Sequence, residues 1–246
     1  MSSDAPPGVF ITFEGGEGAG KSTQIARLAT ALQGSGREVV TTREPGGTER
    51  AEALRAALLR GVAKPFGPFA EALMFAAARI DHIETLIRPA LARGAVVLCD
   101  RFADSTRAYQ GAAGGLDPGL IASLERVTLE GLRPDLTLIL DLPPEAGLAR
   151  ARRRGEGQGE GADRFEAEAV SFHERLRAAF RAIAEAEPER CRLIDASPGP
   201  DRVEAAIRSA VAAWRPDLLA ATQGGQEGQA GQGGQEGDGG GQGHAA

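Results

Sequence analysis

The sequence contains no asparagine, only two lysines (Lys21 and Lys64) among 28 basic residues, and only two cysteines in 246 positions. Each scarcity excludes something. Guanine-specific switch proteins read their base with an Asn-Lys-x-Asp segment, which a chain without asparagine cannot supply. Cys99 and Cys191 lie in short apolar runs far apart in sequence, so they read as buried strand thiols and not as a disulfide or a zinc site. No stretch approaches the roughly 18 consecutive apolar residues of a membrane span, and Met1 to Gly8 lacks the basic and apolar regions of a signal peptide. The expected location is therefore the cytoplasm. Charge of one sign is also in short supply. The formal net charge is -6, and Glu227, Glu236 and Asp238 supply half of it within the last 26 residues. What remains is near balance, without the basic surface that nucleic-acid binding requires.

What is present is regular. An apolar content of 42% in 246 residues suffices for one substantial core. Apolar runs rich in β-branched residues recur at Val9 to Phe13, Val39 to Thr42, Ala95 to Cys99, Leu136 to Leu140 and Cys191 to Ile194. Helix-period segments separate them, which predicts an α/β domain: a doubly wound, parallel five-stranded sheet with helices on both faces. Ligands of such folds collect at the carboxyl ends of the strands. Glu14, Arg43, Asp100, Asp141 and Asp195 each follow one run directly, so polar chemistry concentrates on that edge. From Ala221 onward the sequence is nearly all Gly, Gln, Ala and Glu, a composition that buries too little apolar surface to offset the entropy of ordering. The expected organisation is one domain over residues 1–220 and a disordered tail over 221–246. Gly155 to Gly161 interrupts helical sequence and reads as a mobile flap, part of a lid over about 150–166.

Gly15-Gly16-Glu17-Gly18-Ala19-Gly20-Lys21-Ser22, continued by Thr23, fits the G-x-x-x-x-G-K-[ST] pattern between a strand and a helix-period run. Glycines let consecutive backbone N–H groups converge on one anion, and the following helix adds its positive end. Lys21 then reaches the β and γ phosphates, and the Ser22 hydroxyl suits Mg²⁺. Lysine at position 21 in a chain that otherwise uses arginine marks a chosen residue. Glu17 inside the loop places a carboxylate beside bound phosphates, so Mg²⁺ or an arginine must compensate it.

Between Pro68 and Leu91, Phe69, Leu73, Ala76, Ile80, Ile83 and Ile87 step by four and three and form an expected core stripe. Phe75 and Arg79 fall off that stripe as neighbours on another face. An aromatic plane beside an arginine fits a planar base or a phosphate, and equally a helix contact beside a solvated charge. Arg101, at a strand end, can hold an acceptor phosphate with its fork, while Asp100 either orients that arginine or assists Mg²⁺ through water.

Several segments resemble those of bacterial thymidylate kinases. They are Phe13-Glu14-Gly15 leading into the loop, Thr42-Arg43-Glu44-Pro45-Gly46-Gly47-Thr48, Met74-Phe75-Ala76-Ala77-Ala78-Arg79, Asp100-Arg101-Phe102, Ala108-Tyr109-Gln110-Gly111 and Asp163-Arg164-Phe165-Glu166. The resemblance spans about residues 8–215 and implies the P-loop nucleoside monophosphate kinase fold. It further implies Mg²⁺-dependent transfer of the γ-phosphoryl group of ATP to dTMP, and a homodimer. Arg43 joins the acceptor site by the same resemblance; Phe75 stacks on thymine, Arg79 contacts the monophosphate, and Ser105 and Thr106 lie near the pyrimidine edge. Tyr109 crowds the place of a 2′-hydroxyl, and Glu17 lies near the acceptor's 3′-hydroxyl. Some members carry arginine after that acidic residue, where this chain has Gly18, so the cation is expected from Arg150, Arg152, Arg153 and Arg154 before the flap. Arg154, then Arg152, is the expected arginine over the transferring group, with Arg150 and Arg153 facing solvent. A kinase for another nucleoside monophosphate and a non-catalytic nucleotide-binding regulatory module are the competing readings. Positioning and charge neutralisation suffice for this chemistry, which leaves His82, His173 and His244 without a role.

Overall fold

The computed structural model describes residues 7–158, 165 and 168–220. The expected disordered tail (221–246) and the centre of the expected lid (159–164 and 166–167) lie outside the described residues. The β-rich runs form β1 (Val9–Gly15), β2 (Val39–Arg43), β3 (Val96–Asp100), β4 (Leu136–Asp141) and β5 (Cys191–Asp195), in the order β2-β3-β1-β4-β5. Every neighbouring pair is parallel. Each strand runs past its apolar stretch into the polar residue beyond. The ladder continues there through Arg101 N–H to the Phe13 carbonyl and Glu44 N–H to the Asp100 carbonyl, both at 2.9 Å.

Helices cover both faces: α1 (Lys21–Gly34), α2 (Glu49–Leu59), α3 (Gly67–His82), α4 (Arg88–Ala92), α5 (Ala103–Thr106), α6 (Pro118–Leu129), α7 (Pro144–Gln158), α8 (Val170–Ala186) and α9 (Pro200–Trp214). One face packs β1 and β4 against Ile25, Leu28 and Leu32 of α1 and Val203, Ile207 and Val211 of α9. On the other, Phe10 and Phe102 meet edge to face with centroids 4.9 Å apart, beside Ile83 and Ile87. The architecture is the doubly wound one expected from the strand and helix alternation.

Two expectations need correction. Helix α7 continues to Gln158 and so includes the start of the glycine-rich stretch read as an interruption. Helix interiors tolerate glycine at about 1 kcal/mol each relative to alanine, and Leu148 and Ala151 anchor this one in the core. The second correction concerns α3. Ala76, Ile83 and Ile87 are buried as expected, but Phe69, Leu73 and Ile80 are 40%, 44% and 47% exposed. The inward face instead carries Glu71, Ala72, Ala78, Arg79 and His82. Large apolar side chains face outward because this helix turns its polar groups toward the interior.

Glu14 joins the layers at the end of β1. Fully buried, it accepts hydrogen bonds from the Phe102 backbone N–H (2.8 Å) and the Ser105 hydroxyl (2.6 Å), which pins the β3–α5 turn over β1. Burial, reinforced by the nearby Asp104 charge, pushes the Glu14 carboxyl up to about 7. Because its folded value lies above the unfolded 4.5, its contribution to stability is full below 4.5 and is lost as pH rises through 7. Between pH 5 and 8 the wild type is expected to lose roughly 2–3 kcal/mol more stability than Glu14→Gln. Urea melts at the two pH values test this, and parallel losses in both proteins contradict it.

Candidate active site

The carboxyl ends of β1, β2 and β3 open onto a cavity of about 360 Å³. One wall is the phosphate loop, Glu17 to Thr23, which runs into the first turn of α1. The opposite wall is built from Phe75 and Arg79 of α3, Arg101 after β3, Ser105 and Thr106 of α5, and Tyr109. Gly15 and Gly16 are absent from this cavity. They line a small one behind the loop, and their carbonyls accept from Lys21 Nζ at 3.2 and 3.0 Å. Lys21 is thereby folded back on its own loop. Burial and the Arg101 charge, which both disfavour the charged ammonium, lower its pKa.

Glu17 is the node of the site. Its Oε1 accepts from Arg101 Nη2 (2.7 Å) and from the Tyr109 hydroxyl (2.6 Å). Burial alone would raise its pKa, but the Arg101 and Lys21 charges and the Tyr109 hydroxyl outweigh it and hold the carboxylate at about 2. Arg101 adopts φ 71°, a left-handed conformation uncommon for a residue with a side chain. That geometry aims its guanidinium across the edge: Nη1 also donates to the Gly15 carbonyl (3.0 Å) and Ser105 Oγ (3.3 Å), and the group stacks 4.9 Å from the Tyr109 ring centre. Tyr109 is wedged in turn by Phe165, Phe172 and Phe180.

Arg79 is 4% exposed and donates from Nε to Glu44 Oε2 (2.7 Å) and from Nη2 to the Phe102 carbonyl (3.2 Å) and Thr106 Oγ1 (3.1 Å). Among the described residues no partner is found for its Nη1. Half-buried Phe75 stands one turn earlier, 6.5 Å from Phe165. Arg43 reaches the cavity but is paired with Glu52 at 3.0 Å. Ser22 donates to Asp100 Oδ2 at 2.9 Å, which places two hard oxygens beside the loop.

The loop and α7 meet glycine on glycine. A Cβ on Gly18, where φ is 65°, would lie 2.0 Å from the Gly147 carbonyl oxygen, and one on Gly147 would lie 2.3 Å from the Glu17 carbonyl oxygen. No side chain fits at position 18, so a cation there is sterically barred. Of the four arginines at the end of α7, Arg154 lines the cavity and Arg152 and Arg153 are exposed away from it. Arg150 does not face solvent as expected. It bridges to the Ala196 and Ser197 carbonyls at 3.0 and 3.1 Å and ties α7 to the loop after β5.

Several lining residues escaped the sequence reading: Glu44, Pro45, Arg55, Leu58, Leu59, Phe102, Gln110 and Phe165. Glu44, Pro45, Phe102, Gln110 and Phe165 stood within recognised segments, yet no local pattern shows that they point inward. Arg55, Leu58 and Leu59 come from α2, an 11-residue helix that carries none of the recognised segments. His173 lies behind the loop with Glu17 and Gly16, and its charge helps to lower the Glu17 pKa.

Residues 13–207 match the profile of the family described as thymidylate kinase. The chain is 58% identical over 204 residues to a thymidylate kinase of Bradyrhizobium diazoefficiens, covering 83% of this chain and 89% of that protein. It is 59% identical over 204 residues to one of Caulobacter vibrioides, covering 83% and 96%. A crystal structure of thymidylate kinase from Ehrlichia chaffeensis superposes with a TM-score of 0.67 at 33% identity, covering 84% of this chain and all of that one. A glycine-rich loop facing Arg79 and Arg101 across one cavity, and sequence identity at this level across most of the chain, lead to one conclusion: the chain belongs to the thymidylate kinase family.

Proposed function

We propose that the chain transfers the γ-phosphoryl group of ATP to dTMP, giving ADP and dTDP, by direct in-line attack of an acceptor phosphate oxygen. The observation that carries this is the single cavity shared by the phosphate loop and, across from it, Phe75, Arg79, Arg101 and Tyr109. A donor triphosphate on the loop and a nucleotide monophosphate against the arginines then face each other. The acceptor is already nucleophilic, so no general base is needed, and placement plus charge neutralisation account for catalysis.

In this reading the backbone of Gly15 to Thr23 and Lys21 hold the donor phosphates. Phe75 stacks on the base, Arg79 and Arg101 hold the acceptor phosphate, and Ser105 and Thr106 border the pyrimidine edge. Tyr109 and Glu17 line the sugar, and Arg43 closes the mouth of the site. Ser22 and Asp100 fit Mg²⁺, an ion that takes one or two protein oxygens and completes its shell with phosphates and water. Among the described residues no cluster of three or more His, Cys, Asp or Glu offers a dedicated cage, in keeping with a substrate-borne ion. When bound, Mg²⁺ neutralises charge on the phosphates. Arg154 supplies the positive charge that Gly18 cannot, and Arg152 is its reserve on the lid, residues 150–166 of a kinase domain over 1–220. Among the described residues no helix is long and apolar enough to cross a membrane, and we place the enzyme with its substrates in the cytoplasm.

The outward apolar face of α3 supports a homodimer. Phe69, Leu73 and Ile80 of α3, and Leu120 and Val127 of α6, which packs against α3, are all more than a third exposed. A patch of this kind marks an interaction surface.

Arg154→Ala is expected to lower kcat on the order of 10³-fold, by analogy with arginine fingers, and a loss below about tenfold removes Arg154 from the transfer step. A coupled ADP assay over a panel of nucleoside monophosphates is expected to show dTMP as the preferred acceptor; ATP binding without product from any acceptor would overturn the kinase reading. Leu73→Glu is expected to convert a dimer to a monomer in sedimentation equilibrium.

A further inference from the structure

His82, which the transfer chemistry leaves without a role, is completely buried at the inner end of α3. Its Nδ1 is 3.0 Å from Glu44 Oε1, and its Nε2 is 2.7 Å from Thr42 Oγ1. Glu44 is also buried, and its other oxygen, Oε2, accepts from Arg79 Nε at 2.7 Å. Thr42, His82, Glu44 and Arg79 therefore form one continuous relay that starts on β2 and ends at the cavity. The loop after β2 packs directly on its centre. At Gly47, where φ is 86°, an added Cβ would lie 2.3 Å from Thr42 Oγ1 and 2.7 Å from His82 Nε2.

The relay fixes the direction in which Arg79 presents its nitrogens. His82 anchors Oε1 and so sets the plane of the Glu44 carboxylate, and Oε2 in turn holds Arg79 Nε. Nη2 is held by Phe102 and Thr106, and Nη1 is left toward the cavity that Arg79 lines. With Nδ1–H donating to Glu44, Nε2 accepts from the Thr42 hydroxyl, so every polar atom of the imidazole has a partner while it is neutral.

We propose that His82 is a positioning residue for the acceptor: by anchoring one oxygen of Glu44 it fixes the carboxylate whose other oxygen holds Arg79 Nε, and so keeps Nη1 of Arg79 directed at the monophosphate. The proposal rests on the reading of Arg79 as a ligand of the acceptor phosphate, and the experiment separates the two. The amide of asparagine can replace Nδ1–H toward Glu44, whereas that of glutamine corresponds to Nε2 and releases Oε1. His82→Gln is expected to raise KM for dTMP about tenfold, with KM for ATP and kcat within about twofold, because only acceptor binding is weakened. His82→Asn is expected to restore KM for dTMP to within about threefold of wild type. On an Arg79→Lys background, His82→Gln is expected to add less than about twofold, since the two act through one group.

An unchanged KM for dTMP in His82→Gln, or equal changes for dTMP and ATP, overturns the relay. So does an additive effect in the double variant. An Arg79→Lys variant with wild-type KM for dTMP overturns the ligand reading itself, and the relay with it; a raised value there with no effect at His82 overturns the relay alone. Should His82→Gln fail to fold, Glu44→Ala removes the carboxylate through which His82 acts, and an unmoved KM for dTMP in that variant overturns the proposal equally.

Discussion

The ion pair between Glu17 and Arg101, 2.7 Å long and largely withdrawn from solvent, is the constraint on which the rest of the site depends. It joins the phosphate loop to the end of β3, and through the Tyr109 hydroxyl to the helical turn that follows α5. Removing one partner of such a pair strands a buried charge at a cost on the order of 3–5 kcal/mol. The phosphate-loop wall of the cavity and the wall opposite it are thus not independent surfaces. A carboxylate held at about 2 stays ionised at any working pH, so the link between them is permanent, and the positive φ of Arg101 is the local strain that this crossing geometry entails.

A second constraint is steric. Gly18 and Gly147 approach so closely that neither position admits a side chain, and the loop is seated on the first turn of α7. That contact denies the loop a cation of its own, while the same helix delivers Arg154 to the cavity at its far end. The position of the positive charge follows from where two backbones touch. Arg150, held by the carbonyls of 196 and 197, fixes the middle of α7.

Helix α3 inverts the usual rule that the largest apolar residues of a helix face the core. Its inner face is shared between core and active site, so Glu71, Arg79 and His82 take the buried positions, each with hydrogen-bond partners, and Phe69, Leu73 and Ile80 are displaced outward. The large apolar residues that its buried polar groups displace from the interior become the exposed face of α3. Periodicity counts apolar positions but carries no information about which polar residues have partners inside. That is why the sequence placed Phe69, Leu73 and Ile80 in the core together with Ala76, Ile83 and Ile87, which are buried there.

Local information determined a good deal. The five strands were legible because parallel, doubly covered strands are continuous apolar runs, and the phosphate loop was legible because its glycines, lysine and serine must be adjacent in sequence to surround one anion. Phe75, Arg79, Arg101 and Tyr109 were recognisable through their segments, and each lines the cavity. Tertiary structure alone decided the rest. It brought Glu44 between Arg79 and His82 across 35 and 38 residues, joined Glu17 to Arg101 across 84, turned Arg43 toward Glu52, and selected Arg154 among four similar arginines for the cavity. Sequence specifies chemistry that depends on neighbours along the chain; hydrogen bonds and ion pairs between distant segments depend on distance and direction in space, which exist only once the sheet has brought its strand ends to one edge.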